Sequence, residues 1–140
     1  IVGEVELFGE IVKVKTRPDI IYNNAIINYK TCASAKPEKL IQDCFNFGYF
    51  AKEVFSAMVF EKLYGTLPEI RILAQSKKKP YICTGFTFTD EMIAIGRSQV
   101  ERAFSMWIAC KKAGAVVDFA QGKWLSDLDV PAWMVAKSEI

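Results

Sequence analysis

The chain has 140 residues, of which 51% are hydrophobic and 13% aromatic, enough apolar material for one domain with a proper core. Its 18 basic and 16 acidic residues give a formal net charge of +2, which neither indicates nor excludes a polyanionic partner. The chain contains no histidine, and this excludes histidine-based zinc sites, serine–histidine–aspartate triads and cysteine–histidine pairs. The composition therefore rules out disorder and predicts a single domain over residues 1–140.

Four cysteines are scattered along the chain, and no two of them have C-x-x-C spacing. This pattern argues against zinc ribbons and redox motifs and favours reduced, mostly buried thiols in a cytoplasmic protein. No apolar run approaches the ~18 residues that a membrane-spanning helix needs, and no signal peptide is visible, so we expect no membrane partner. Because the chain begins at Ile1, we expect its native form to carry further residues in front.

The first part of the chain has patterns typical of β-structure followed by a helix. Residues 2–16 alternate apolar and polar side chains, which predicts a strand pair or one long bent strand. The apolar runs 19–22 and 25–31 are separated by Asn23-Asn24, and two residues that tolerate left-handed backbone conformations predict a hairpin. Residues 37–63 then change to helical spacing.

The second part repeats this order. Residues 69–76 and 80–89 predict two more strands, joined by a basic turn. Thr89 is suited to cap a second long helix that runs to about Lys112 and stops at Gly114. The order β-β-β-α-β-β-α predicts an α/β fold, with a central mixed β-sheet flanked by helices.

The hairpin predicts a cluster of polar groups. A two-residue turn pairs Ile20 with Ile27 and places Asp19 opposite Asn28, and directly opposed residues share a face. Lys30 lies two residues beyond Asn28 and so points to the same side. Ile20 and Ile27 then point the other way, into the core. A solvated outer face is the alternative interpretation of these polar residues, and spacing alone favours it.

An aspartate at position 28 would make the chemistry of such a cluster clear. Two facing carboxylates bind Mg²⁺ through hard oxygen ligands, and a neighbouring lysine can contact a scissile phosphate or orient the attacking water. The residue present is an asparagine.

Taken together, these residues resemble the PD-(D/E)xK nuclease superfamily. Arg17-Pro18-Asp19-Ile20-Ile21 is similar to its PD strand, and Ile27-Asn28-Tyr29-Lys30-Thr31 to its (D/E)xK-T strand. Within that superfamily, the order of motifs over residues 2–136 resembles the exodeoxyribonuclease VIII-type and lambda-type phage recombination exonucleases. The further segments that carry this likeness are Ala35–Leu40, Asn46–Tyr49, Gly96–Gln99 and Val130-Pro131-Ala132-Trp133.

The resemblance implies a restriction-endonuclease-like core and a Mg²⁺-dependent 5′→3′ exonuclease that acts on double-stranded DNA ends. It also implies ring-shaped homo-oligomers threaded by DNA and a single-strand annealing protein as partner. Asp19 would be a metal ligand and Lys30 the catalytic lysine.

The chain departs from this family's pattern at its site. Asn28 stands where the family carries its second metal-binding carboxylate, and Lys52 stands where a functional glutamine is expected. The upstream acidic ligand has no clear counterpart: Glu4, Glu6 and Glu10 are candidates, with Glu10 or Glu6 better placed. Losing one charge-stabilising group can cost ~10²–10³ in rate, so we expect impaired or absent hydrolysis.

Two independent losses favour a natural, degenerate nuclease over an active or engineered-inactive exonuclease. The expected function is therefore an exonuclease-like domain with impaired end processing. A catalytically dead nuclease fold that acts as a DNA-binding or protein-interaction module is the alternative.

Two groups of residues outside the hairpin are candidates for contacts with DNA. Lys77, Lys78 and Lys79 could contact phosphates, although a solubilising hairpin tip is the favoured interpretation. Lys15 and Arg17 alternate along the strand that leads to Asp19 and could line a DNA track, with a solvated strand face equally open. The aromatic residues between positions 45 and 55 are predicted to serve packing rather than base stacking.

Overall fold

The computed structural model of this chain describes residues 1–114, which form six strands and three helices. Segments predicted to lie beyond Gly114, including the motif at residues 130–133, fall outside the described residues. The elements, in chain order, are β1 (Val2–Leu7), β2 (Glu10–Lys15), β3 (Ile20–Tyr22), β4 (Ala25–Cys32), α1 (Pro37–Asn46), α2 (Tyr49–Tyr64), β5 (Glu69–Ser76), β6 (Cys83–Thr87) and α3 (Asp90–Ala113).

The chain divides into two compact units, Ile1–Ser105 and Met106–Ile140, and the first contains every described strand. One domain over residues 1–140 stays a prediction. Within residues 1–114, no helix combines the length and apolar character that crossing a membrane requires. All four cysteines are free thiols, and two of them, Cys32 and Cys44, are buried.

The strands of the first unit form two sheets. β1 and β2 make an antiparallel pair, and a four-stranded sheet has the order β3-β4-β5-β6. Its central strands, β4 and β5, run parallel, whereas β3 and β6 are antiparallel to their neighbours. Because parallel strands need a crossover, the chain between β4 and β5 passes through α1 and α2. The predicted fold class, a central mixed sheet flanked by helices, is confirmed.

The hairpin of β3 and β4 has the predicted register but not the predicted faces. Ile20 pairs with Ile27, and both asparagines of the turn have positive φ. The core, however, lies on the other side: Asn28 is fully buried, whereas Ile20 is 45% exposed and Ile27 only half-buried. The reason is that β4 pairs with the core strand β5, where Asn28 lies beside the buried Ile72. The predictions that Ile20 and Ile27 fill the core and that Asn28 lies on a solvated face are therefore wrong.

The predicted helix over residues 37–63 is two helices. α1 ends at Asn46, and α2 begins at Tyr49 after Gly48, whose φ of 66° is left-handed and suits glycine. The break leaves Phe47 67% exposed, and Phe45 on the last turn of α1 is 60% exposed. The prediction that the Phe45 and Phe47 rings serve packing is therefore wrong.

α3 lies against α2 at a glycine. A Cβ atom added at Gly96 would stand 2.5 Å from the carbonyl oxygen of Phe50 and 2.5 Å from Cγ2 of Val54. Glycine therefore lets the two helix backbones approach each other closely at this point. Phe50 and Val54 belong to the buried face of α2, which covers the sheet and carries the side chains described next.

Candidate functional site

Three elements bring polar side chains to one place under α2. β4 carries Asn28 and Lys30, α2 carries Lys52 and Glu53, and Asp19 immediately precedes β3. The packing of α2 on the sheet turns the Asn28 face of β4 into the interior. The group of five residues, called here the Asn28 cluster, is thus partly inside the protein rather than on an outer face.

Asn28 and Glu53 form the buried centre of this cluster. Both side chains are fully buried, and the Asn28 Nδ2 amide donates a hydrogen bond to Glu53 Oε2. Glu53 is absent from the residues that the sequence predicted for the site. Its signal was a single carboxylate on the apolar stripe of a helix, since Phe50, Val54 and Ala57 lie on the same buried face.

Lys52 extends from the half-exposed side of α2 toward the same centre. Its Nζ lies 3.4 Å from Glu53 Oε1 and donates to Asn28 Oδ1 at 3.5 Å. Beyond this ion pair, Glu53 Oε1 has no hydrogen-bond donor among the described residues. Burial raises the pKa of the Glu53 carboxyl, and the ammonium groups of Lys52 and Lys30 partly offset that rise. Lys52 therefore supplies positive charge that offsets part of the cost of burying the Glu53 carboxylate.

Lys30 contributes the second positive charge. Its Nζ lies 5.1 Å from the centre of the Tyr49 ring, within the range of a cation–π contact. Partial burial lowers the pKa of Lys30, and the neighbouring Lys52 lowers it further, while Glu53 and Asp19 act in the opposite direction.

Asp19 stands at the exposed edge of the cluster. Its Oδ2 accepts a hydrogen bond of 2.8 Å from the backbone N–H of Tyr29, which fixes the carboxylate beside β4. The hydroxyl pair of Thr16 and Ser56 joins the end of the N-terminal hairpin to α2 and so positions the segment that leads to Asp19.

The cluster balances its own charge. Two carboxylates, Asp19 and Glu53, face two ammonium groups, Lys30 and Lys52. Over residues 1–114, no group of three histidine, cysteine, aspartate or glutamate side chains could hold a metal ion. The Asn28 carbonyl oxygen accepts from Lys52, and its NH₂ group faces Glu53. As arranged here, the residues do not fit a divalent cation.

Glu10 lies on the N-terminal hairpin. It begins β2 and pairs with Leu7 beside the turn of the N-terminal hairpin. Thr16, which contacts α2, lies six residues further along, a span of about 20 Å in extended chain. The assignment of Glu10 as a metal ligand stays a prediction.

The other predicted residues are at the surface. Lys15 and Arg17 are exposed and alternate with the buried Val14 and Thr16, so both a DNA track and a solvated face remain open. The basic residues 77–79 form an exposed turn between β5 and β6.

Comparison with known proteins finds a solved structure that shares the fold of this chain. No protein-family profile matches the chain, and no curated protein matches it either. A crystal structure of a protein from Eubacterium rectale named "Putative exonuclease" superposes with a TM-score of 0.68 and 18% sequence identity. The match covers 100% of this chain but 56% of that one. At this identity the likeness concerns the fold, and this chain spans little more than half of the neighbour's length.

Proposed function

We propose that this chain is a nuclease-like domain of the phage recombination exonuclease type, in which Mg²⁺-dependent 5′→3′ processing of double-stranded DNA ends is impaired. The neighbour's name and shared fold support the nuclease class. The observation that carries the impairment is the position of the Lys52 ammonium, 3.4 Å from Glu53 and 3.5 Å from Asn28.

The electrostatic argument concerns competition for one carboxylate. A divalent cation needs anionic oxygen ligands, and Asn28 offers an amide in place of a carboxylate. Glu53 could supply the missing charge from α2, but Lys52 already neutralises it. Restoring a cation site therefore needs both a new negative charge at position 28 and the removal of the lysine charge.

The experiment compares digestion of a linear, end-labelled duplex in Mg²⁺ by the parent, Asn28→Asp, Lys52→Gln and the double variant. We expect no digestion by the parent and the largest gain in the double variant. Lys62→Gln is the matched control, because Lys62 is an exposed lysine on the same helix. Digestion by the parent at a rate that Lys52→Gln leaves unchanged would show that the lysine impairs nothing.

Thermal unfolding provides a readout that does not depend on turnover. Asn28→Asp sets a carboxylate directly against buried Glu53, so the melting temperature should fall in the absence of metal. In the Asn28→Asp/Lys52→Gln double variant, which also lacks the lysine charge, Mg²⁺ that binds only the folded state should raise the melting temperature, and it should leave that of the parent unchanged. Equal shifts in both proteins would contradict a site opened by the substitutions.

A catalytically dead fold that binds DNA is the second candidate, supported by two exposed cations: Lys15, which ends β2, and Arg17, two residues before Asp19. It is favoured if no variant digests DNA while the parent binds duplex with an affinity that falls steeply with salt. Homo-oligomers and a single-strand annealing protein as partner are carried by the family resemblance alone and stay predictions.

A further inference from the structure

A cavity of 390 Å³ opens beside the Asn28 cluster, at the carboxyl end of β4. Its wall is formed by the last residues of β4, the inner side of α1, the break between α1 and α2, and the loop after β5. Ligand sites run from about 300 to 1,000 Å³, so the space suits one small molecule or one terminal group and not a DNA duplex. The residues that matter here are Lys30, Lys39, Lys77, Asp43, Phe47 and Tyr49.

Three lysines and one carboxylate give this wall a net positive charge. Lys39 is paired with Asp43 at 3.5 Å, whereas Lys30 and Lys77 have no carboxylate within ion-pair distance among residues 1–114. Glu53 and Asp19 act on Lys30 from a longer distance and offset part of its charge. Lys77 is held in place by its backbone N–H, which donates to the Cys32 carbonyl at 2.9 Å. Positive groups that converge on a concave surface concentrate potential there and favour an anion.

Two aromatic rings stand at the same cavity. The centres of the Phe47 and Tyr49 rings are 5.9 Å apart and their planes are tilted by 35°. Tyr49 contacts the Lys30 ammonium, but Phe47 is 67% exposed and contributes little to the core. An exposed ring beside lysines is the combination that stacks a base and neutralises its phosphate.

We propose that this cavity binds a nucleotide, with the phosphate between Lys30 and Lys77 and the base stacked on Phe47. The same chemistry is offered by a free nucleoside monophosphate and by the phosphorylated end of a single strand. Binding needs the lysines and the ring and no hydrolysis, so the inference goes beyond the proposed function and does not depend on it.

Isothermal titration of the whole chain tests the proposal with adenosine monophosphate, adenosine and inorganic phosphate. We expect saturable binding of the nucleotide, weaker binding of phosphate and of adenosine, and an affinity that falls with salt. Phe47→Ala and Lys77→Gln should each lower the affinity for the nucleotide about tenfold. Short single strands with and without a terminal phosphate distinguish the two sources of the group.

The chain offers a close control for each variant. Phe45 is also an exposed ring, two residues away, and Lys78 is the exposed neighbour of Lys77; neither lines this cavity. Phe45→Ala and Lys78→Gln should leave nucleotide affinity within about twofold. No saturable binding by the parent, or an equal loss in the controls, would overturn the proposal. Digestion by the Asn28→Asp/Lys52→Gln protein without nucleotide binding would sink this inference alone and leave the proposed function standing.

Discussion

Glu53 places a carboxylate where the rest of α2 is apolar, and the cost of that burial is visible in its pKa, which lies above the ordinary value of 4.5. When folding raises the pKa of an acidic group, the folded protein is most stable, relative to the unfolded chain, while that group is protonated. The contribution is therefore fully present below the unfolded pKa and is lost as the pH rises through the folded one. At neutral pH, the buried Glu53 charge lowers the stability of the folded protein, and the positive charges of Lys52 and Lys30 reduce this cost.

The first prediction at the residue scale concerns pH. Glu53→Gln keeps an acceptor for the Asn28 amide and removes the buried charge, so the variant should melt at the same temperature as the parent or higher at pH 8. The difference should vanish toward pH 4, where the parent carboxyl is also neutral. Thermal melts from pH 4 to pH 8 measure this, with Glu61→Gln on the same helix as control. If the melting temperature of the variant, relative to that of the parent, is lower at pH 8 than at pH 4, the charged carboxylate stabilises the protein and the prediction is wrong.

The second residue-scale prediction measures the coupling of Lys52 to Glu53. Lys52→Met leaves the buried carboxylate with less compensation and should destabilise the protein by about 1–2 kcal/mol at pH 7. This is less than the ~3–5 kcal/mol for fully buried pairs, because half of the Lys52 side chain is exposed.

In the Lys52→Met/Glu53→Gln double variant most of this loss should disappear. Urea unfolding of the four proteins closes the cycle. Strictly additive losses would mean that the two charges do not interact.

At the scale of elements, the contact of α3 with α2 depends on the missing side chain of Gly96. Gly96→Ala gains up to about 1 kcal/mol of helix propensity but drives a methyl group into the Phe50 backbone and Val54. Overpacking costs about 1–3 kcal/mol, and a rigid carbonyl cannot turn aside, so we expect net destabilisation by about 1–2 kcal/mol.

Gly85→Ala is the control for this prediction. An added Cβ there meets nothing within 4 Å, and the unfolding free energy should change little or rise slightly. If both substitutions have the same effect in chemical denaturation, close approach of the helices is not the reason for glycine at position 96.

Most of the strands and helices were predictable from the sequence, because the spacing of apolar residues indicates the type of each element. The register of the β3–β4 hairpin followed from its two asparagines, whose side chains tolerate positive φ. The break at Gly48 did not follow from the sequence, because helical spacing continues on both sides of it. Which face of β4 is buried, and what Glu53 contacts, both depend on the packing of α2 against the sheet. That packing is a tertiary contact, and local sequence patterns do not predict it.

At the scale of the whole molecule, the net charge of +2 conceals an uneven distribution. Lys15, at the end of β2, and Arg17, two residues beyond it, are both exposed, and residues 77–79 form a basic turn. If these cations contact duplex DNA, Lys15→Glu/Arg17→Glu should weaken binding at least tenfold in low salt and reduce the slope of log affinity against log salt by about two.

Fluorescence anisotropy with labelled duplex measures both quantities. Lys62→Glu changes the net charge on α2 and controls for a general effect. The same loss in the control would indicate non-specific attraction by the whole surface.

The parallel pairing of β4 with β5 also bears on how the molecule comes to its final state. It joins Ala25 to Glu69 and Cys32 to Ser76 across two intervening helices, so the central ladder is a long-range pairing. Closing such a loop precedes any gain from the contacts it creates, and topologies of this kind fold slowly. Until α2 packs on these paired strands, the Glu53 carboxylate stays hydrated, and its charge carries no desolvation cost. Burial of the charge against Asn28 therefore requires that α2 has packed on β4.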